Sequence, residues 1–486
     1  VPVPVDATPD AAPPPLDAAF GPNDPAHLEA LVDAYEAGEL DAEGFRAALR
    51  GIEDDGRPAV LPAAIEQTRL LKPRAEPYTL DGEARVAVGA ILVIEAGAMV
   101  QLAPGAHLII NGRLYAIGSD EDPIIIAGDA GQPYDSVALR GGPNALHRTH
   151  FSGGDRLLVS SHPTNVRTRI SRARFDEWVD VAIDLAGTAN FSIQDSVLGI
   201  DSPPEFGGEI IRARRAAAID IEGNLFGARR GYRDAIDLQD CTAGEPWPRV
   251  NHNVFLGGED DAIDLDRCSA FVDGNHIRGF RPLDLDRMQQ GINGGGITGD
   301  GDIDLVITDN LIEGCYHGIG FKNGARPVLI NNTIIGGNIG VSLYQSAVGN
   351  PAPHGVMINN VLADNLDFVT GAPQDVVLNG RWWRSYNQRD EVQATLDAHD
   401  NIFASGGAVP EGERNRADDP MLRRVDDLPV PGEGSPARDA GDPAPYAGPA
   451  PIETVIEMLS TDFAGHPRHR EGDGFPGIDL GAIEAP

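Results

Sequence analysis

The sequence predicts an all-β chain: a right-handed parallel β-helix solenoid with a small N-terminal helical cap and an irregular C-terminal segment. Three observations predict it. A unit built on a column of asparagines recurs with a base period of 22 residues. Gly (58) and Pro (38) are abundant while aromatics make up only 6% of the 486 residues, which suits a fold with many turns rather than a helical one. From about residue 78 the apolar runs are short, β-branched and punctuated by Gly every few residues, which leaves no room for crossover helices.

Taken in order, residues 1–22 (VPVPVDATPDAAPPPLDAAFGP) read as a disordered or extended linker, because Pro, Ala and Asp cannot bury a core. Such a tether is expected behind an exported or lipid-anchored N-terminus. The chain opens on Val1, as expected if a leader has been removed. Residues 23–77 read as a helical N-terminal cap over the end of the solenoid. Asp24-Pro25 supplies a cap and a proline at the first helical position. Leu28, Leu31, Val32 and Tyr35 form one apolar face, and Gly38 ends the helix. A second helix starts at Asp41 with Phe45 and Leu49 inside, and a third covers Pro62–Leu71. The β-helix is expected over 78–405 and a closing segment over 406–486.

The repeat is visible in IEGNLFGARRGYRDAIDLQDC (221–241), VNHNVFLGGEDDAIDLDRC (250–268), VITDNLIEGCYHGIGFKNG (306–324) and LINNTIIGGNIGVSLYQ (329–345). Each unit places an Asn before a short strand, then a Gly-containing turn, then a second strand. The column is Asn224, Asn253, Asn275, Asn310, Asn332 and Asn360, with spacings of 29, 22, 35, 22 and 28. Stacked coils bring equivalent residues about 4.8 Å apart. The asparagines are expected to bond the next coil's backbone at a tight bend, where Asn tolerates a left-handed conformation. They are read as structural.

On these residues the chain resembles the pectate-lyase-like superfamily of right-handed parallel β-helix repeat proteins. GSPARDAGD (434–442), DFAG (462–465), Arg468 and GIDLGAIE (477–484) resemble a closing segment of secreted or surface members. The resemblance covers roughly 80–486 and implies the fold and an extracytoplasmic location. It implies a polysaccharide or cell-surface partner without specifying an activity, because the superfamily holds lyases, hydrolases, epimerases and members with no known reaction.

Three cysteines occur. Cys241 and Cys268 fall in one column on adjacent coils, close enough for a disulfide or for two stacked thiols. Cys315 is expected to be buried and unpaired.

Alternation in Ala-Ile-Asp-Leu turns Ile and Leu inward and Asp outward. Aligning coils on this strand gives three polar columns: Asp234, Asp261, Gln290, His317; Asp184, Asp237, Asp264, Asn293, Gly320, Ser342; and Gln239, Asp266, Gly295, Lys322, Tyr344. Two carboxylates ~4.8 Å apart repel by about 3.5 kcal/mol at an effective dielectric of 20. Either some are protonated or a cation sits among them. All-oxygen ligands favour Ca²⁺, with Asp237, Asp261, Asp264, Asp266 and Asn293 as its expected ligands; a solvated acidic face accounts for the same residues. His317, Lys322 and Tyr344 lie further along the face, and Gly294, Gly295, Gly296 and Gly320 are expected to open a groove there. This arrangement suits metal-assisted β-elimination on an acidic glycan: Lys322 or His317 removes the proton, and Tyr344 or His317 protonates the leaving oxygen. The superfamily's hydrolases use neighbouring aspartates around a GDD-like turn, to which Gly258-Glu259-Asp260-Asp261 is similar. Their Gly-His-Gly segment is replaced by Gly294-Gly295-Gly296. In RWWRSY (381–386), Trp382 and Trp383 are placed to stack sugars and Arg381 and Arg384 to grip acidic groups.

Formal net charge is −36, with Lys72 and Lys322 the only lysines. That balance excludes a nucleic-acid backbone as partner. No run of about 18 apolar residues is present, so no transmembrane segment is expected. The readings carried forward are a polysaccharide lyase, a non-catalytic binding or structural surface protein, and a glycoside hydrolase or epimerase.

Overall fold

Each repeat unit closes one coil of a three-sided parallel β-helix. This architecture comes from a computed structural model that describes residues 25–50, 52, 56, 58–129, 131–161, 166–187, 189–203, 207–241, 246–284, 294–346, 350–378, 394–442, 459–468 and 478–485. The chain visits the faces in a fixed order. In one coil Arg249–Asn251 lies on the first face, Val254–Phe255 on the second and Ile263–Asp266 on the third. Every strand pairs in parallel with its equivalents one coil up and down, as Ile263–Asp266 does with Ile236–Gln239. The first face is a continuous 13-stranded sheet. The parallel β-helix expected from the resemblance is therefore the fold observed.

Inward residues stack between coils. Ile236 and Leu238 align with Ile263 and Leu265, and all four are buried. Phe226 stacks on Phe255 with ring centroids 4.6 Å apart. Stacking like on like lets an apolar core run the length of the molecule without crossover helices.

At the corner between first and second faces the asparagines form a ladder. The backbone N–H of Asn253 donates to Asn275 Oδ1 (3.0 Å), that of Asn275 to Asn310 Oδ1 (3.0 Å), and that of Asn310 to Asn332 Oδ1 (3.1 Å). Each amide NH₂ donates to the next Oδ1 and to a carbonyl of the preceding coil, as Asn275 does to Asn310 (2.9 Å) and Val250 (2.7 Å). The ladder extends beyond the expected column to Asn401 and Asn415. One detail differs from expectation. The left-handed residue is the one before each ladder Asn: Gly223, His252, Gly274, Asp309, Asn331 and Asn359. The bend precedes the ladder residue, leaving its amide free to span two coils.

The N-terminal helices α1 (Pro25–Glu36) and α2 (Ala42–Arg50) form as expected, and Asp41 Oδ1 caps α2 by accepting from Gly44 N–H at 2.7 Å. Their position differs from the end cap expected. Leu31, Val32, Phe45 and Leu49 pack on Ile91, Val93, Tyr115, Ile117 and Ala145, the outward residues of three successive first-face strands. The helices cover a flank. The third helix expected over Pro62–Leu71 is absent; Ala64–Ile65 and Arg69–Leu71 are strands of the opening coil. Ile65 and Leu71 point inward there, so a spacing that also fits a helix serves two short strands.

The C-terminal segment folds back along the flank. Arg468 is fully buried and pairs with Asp309 of a coil and with Glu484. Cys241 and Cys268 are joined as a disulfide, and Cys315 is buried and free.

Candidate functional site

The outward side of the third face carries the polar columns, and their observed register corrects the expected one. Asp237 aligns with Asp264, Asp264 with Thr298, Thr298 with Gly320, and Gly320 with Ser342. The next column is Gln239, Asp266, then Asp300, Lys322 and Tyr344, and the pair Gly295–His317 continues from Asp261. Thr298 thus stands where Asn293 was expected, Asp300 where Gly295 was, and Gly295 where Gln290 was. The strand Gly295–Asp300 begins five residues later than the expected register places it, because the insertion after Arg278 is longer than that register allows. Asn293 itself lies outside the described residues, as do Arg381, Trp382, Trp383 and Arg384. A coil missed in the sequence also enters the stack: Arg212 of Ile211–Arg214 sits between Asp184 and Asp237.

Two overlapping carboxylate groups form on this surface. Asp234, Asp260 and Asp261 bring ligand oxygens within 4.8 Å of one another, and so do Asp234, Asp237 and Asp264. Asp234 belongs to both. The members come from two adjacent coils: Asp234 and Asp237 from one, Asp260, Asp261 and Asp264 from the next.

The turn that carries Asp260 and Asp261 is held by its own neighbour. Glu259 is buried; its Oε2 accepts from Gly231 N–H at 2.7 Å and its Oε1 from Leu283 N–H at 3.4 Å. It ties the loop leading to Asp234 on one side and the loop leading into the insertion on the other. Asp234 Oδ1 accepts from Asp261 N–H at 3.0 Å, and Asp261 Oδ1 from Gly295 N–H at 2.6 Å.

Burial and mutual repulsion raise these groups above the ordinary carboxylate range, to different extents. Asp260 is pushed up to about 8, by burial first and then by Asp261 and Glu209. Asp237 is pushed up to about 7 by burial and Glu209. Asp234 and Asp264 are held well above the usual carboxylate range by burial and by neighbouring aspartates. Asp261 is raised by burial, but hydrogen bonds from Thr298 and Gly295 oppose the shift.

The site residues expected for proton transfer are brought near this surface with properties of their own. Burial lowers Lys322, but Tyr344, Asp266, Asp264 and Asp300 outweigh it and hold the ammonium above its ordinary value. Its Nζ lies 3.9 Å from Asp300. His317 is buried, its Nδ1 is 2.9 Å from Ser342 Oγ, and burial with Lys322 lowers it to about 3. Tyr344 is raised by burial. The glycines do not all serve the expected groove. A Cβ on Gly294 would meet the Asp260 carbonyl at 2.3 Å, and one on Gly296 the Gly318 carbonyl at 2.6 Å. Those two allow close coil packing, leaving Gly295 and Gly320 on the outer columns.

The same surface tests the calcium expectation. Asp237 is 3% exposed, and among the described residues its Oδ1 has no hydrogen-bond partner; neither has the buried Asp266 Oδ1. Oxygens of this kind fit a hard cation, so Asp234, Asp237 and Asp264, with Asp266 beside them, could hold one. Sequence reasoning put Asp237 and Asp264 in that set and left out Asp234 and Asp260. Asp234 was legible: it lies three residues before Asp237, the spacing that also separates Asp261 from Asp264.

No family model matches this chain, and neither does any curated protein. Among solved structures, it is similar to the periplasmic alginate epimerase AlgG at 12% identity, over 73% of this chain and 84% of that one, with a TM-score of 0.40. It is similar to the catalytic unit of a thermostable GH87 α-1,3-glucanase from Streptomyces thermodiastaticus at 14% identity, over 78% and 67%, TM-score 0.40. A PL6 family polysaccharide lyase from Pseudopedobacter saltans gives 14%, 68%, 88% and 0.31 in the same order.

Proposed function

We propose that this chain is an extracytoplasmic glycoside hydrolase that uses Asp234, Asp260 and Asp261 on a polysaccharide lying along the third face. The observation that carries the reading is the meeting of these three carboxyls within 4.8 Å, all raised above their ordinary range. Hydrolysis of a glycosidic bond needs one carboxyl that keeps its proton at neutral pH and another that is ionised. Asp260, at about 8, suits the acid: it gives its proton to the glycosidic oxygen as the bond to the anomeric carbon breaks. Asp261, whose anion is favoured by hydrogen bonds from Thr298 and Gly295, suits the nucleophile: at this spacing, too short for a water between the carboxyls, it bonds to the anomeric carbon as the leaving oxygen departs, and Asp260 then takes a proton from the water that displaces it. Asp234 completes the set, and Glu259 holds its spacing. The Cys241–Cys268 disulfide supports a location outside the reducing cytoplasm.

A second reading, the metal-assisted lyase, is favoured by one observation: the buried Oδ1 atoms of Asp237 and Asp266, which have no hydrogen-bond partner among the described residues. There Asp237, Asp261, Asp264 and Asp266 would hold Ca²⁺, which when bound offsets a uronate carboxylate. Lys322, His317 and Tyr344 would handle protons. The charge on Lys322 places it second, because a base must first lose the proton that the surrounding carboxylates hold on it.

The deciding experiment incubates the full chain with a polysaccharide panel, with calcium and with chelator. Release of reducing ends without unsaturated product, lost in Asp260→Asn, supports hydrolysis. Calcium-dependent ultraviolet absorbance of an unsaturated product, lost in Lys322→Ala, replaces it with the lyase. Neither signal on any polymer leaves the non-catalytic surface protein as the reading.

A further inference from the structure

We infer that the polymer taken by this face is a neutral glycan, rich in hydroxyl donors, and not a uronate. The inference rests on the hydrolase reading for the position of the site. It deepens that reading by assigning the substrate's charge.

Two independent observations carry it. The first is the state of the cations beside the carboxylates. Upstream, Arg212 is shared among Asp184 (2.9 Å), Glu209 (3.2 Å) and Asp180 (3.3 Å). In the next coil outward, Arg156 is paired with Asp135 at 3.1 Å and lies 3.9 Å from Asp184. Downstream, Lys322 faces Asp300, with Asp264 and Asp266 acting on it as well. Arg214, exposed at the head of the Gln239 column, acts on Asp237 and Glu209. Among the described residues, Arg212, Arg156 and Lys322 are thus already paired with carboxylates of this face, and Arg214 acts on the same carboxylates without an ion pair of its own. A uronate would bring one more negative charge per sugar into a surface where aspartates already repel one another, in a chain of net charge −36. A neutral sugar meets no such barrier.

The second is the hydrogen-bonding character of the floor. Asp237 is 3% exposed; its Oδ2 accepts from Gln239 Nε2 at 2.9 Å, but its Oδ1 and the buried Oδ1 of Asp266 are acceptors to which no described residue donates. Buried acceptors left this way are costly and call for an incoming donor. A sugar hydroxyl is such a donor and carries no charge; a uronate replaces one of its hydroxymethyl donors with a further acceptor.

The test is affinity electrophoresis of the full chain in gels cast with a neutral polymer (α-glucan, β-glucan, xylan or mannan) or with a uronate polymer (polygalacturonate or alginate). Each gel is run with calcium and with chelator. The expected result is at least twofold retardation by one or more neutral polymers, insensitive to calcium and reduced in an Asp237→Ala variant that keeps wild-type thermal stability. A parallel Asp266→Ala variant covers the case in which Asp237→Ala does not fold. Retardation by a uronate polymer that is lost in Lys322→Ala, with or without calcium, overturns the inference, and so does the absence of retardation by every polymer. If a neutral polymer retards the chain but no reducing ends are released, hydrolysis falls while the substrate class stands.

Discussion

Two polar stacks run along the coils of this protein, and they differ in what they ask of their surroundings. The ladder at the first corner is made of asparagines, buried from Asn224 to Asn401 and each both donor and acceptor, so that every rung satisfies its neighbours. The stack on the third face is made of aspartates, which only accept when ionised. Repetition of an amide is self-complementary; repetition of a carboxylate is not. Beyond what the chain's own Arg212 and Lys322 supply, the aspartate stack must therefore obtain protons, a cation or substrate hydroxyls from outside. Equal spacing of like residues makes a structural device in one place and a reactive one in the other.

The largest expected effect tests the reactive side. Asp260→Asn or Asp261→Asn keeps size and removes the carboxyl chemistry, and should lower the rate of glycan cleavage by roughly 10²–10⁴-fold. Thermal unfolding of both variants should stay close to wild type. A comparable loss of activity accompanied by a collapse of stability would mean that the aspartates are structural like the asparagines.

The structural side is broken at its centre by Asn275→Ala. The change removes the Oδ1 that accepts from Asn253 N–H and Nδ2, and the NH₂ that donates to Val250 and Asn310. A destabilisation of about 3 kcal/mol is expected from the orphaned buried groups, measured by denaturant unfolding. Catalytic activity per folded molecule should be unchanged.

What the sequence made legible follows the same division. The ladder could be read because Asn recurs at a recognisable period and its neighbours alternate, and that sufficed for the fold. The reactive columns were less legible because their register depends on loop length. The insertion after Arg278 moves Gly295–Asp300 five positions beyond the expected register, which hid Thr298 and Asp300 from the columns. Arg212 was missed because its coil carries an arginine where its neighbours carry Asp184 and Asp237. Asp260 was noticed only as part of a turn, since its role depends on burial beside Asp234 and Asp261. The flank position of α1 and α2 was not readable, because an apolar helix face does not say which apolar surface it meets.

A pH titration of stability separates the stacks next. Asp237 and Asp260 have folded values of about 7 and about 8 against an unfolded aspartate near 3.9. The folded state therefore binds more protons than the unfolded state across this interval. Stability from these groups is fully present below the unfolded value and is lost as pH rises through the folded values. Unfolding free energy, followed by denaturant titration, should fall between about pH 4 and pH 8. Asp237→Asn combined with Asp260→Asn should flatten that slope, whereas Asn275→Ala should shift the whole curve down without changing its shape. Parallel curves for wild type and the double variant would show that the aspartates are not held protonated.

The smallest effect is the most discriminating. Asp264 is held well above the usual range by burial and by Asp266, Asp261 and Asp237, and it accepts from Thr298 Oγ1 at 3.3 Å. In Asp264→Asn the amide replaces a group that carries a proton at low pH and strains against its neighbours when it loses it. At pH 5 the variant should match wild type; at pH 9 it should be more stable by about 1 kcal/mol, read as a rise of a few degrees in melting temperature. The sign reverses if the stack is balanced by a cation, since the variant then loses a ligand. In millimolar calcium it would melt below wild type, and wild type would itself melt higher with calcium than with chelator. A gain at high pH that calcium leaves untouched means the aspartate stack is balanced by protons, the condition that the acid role of Asp260 requires.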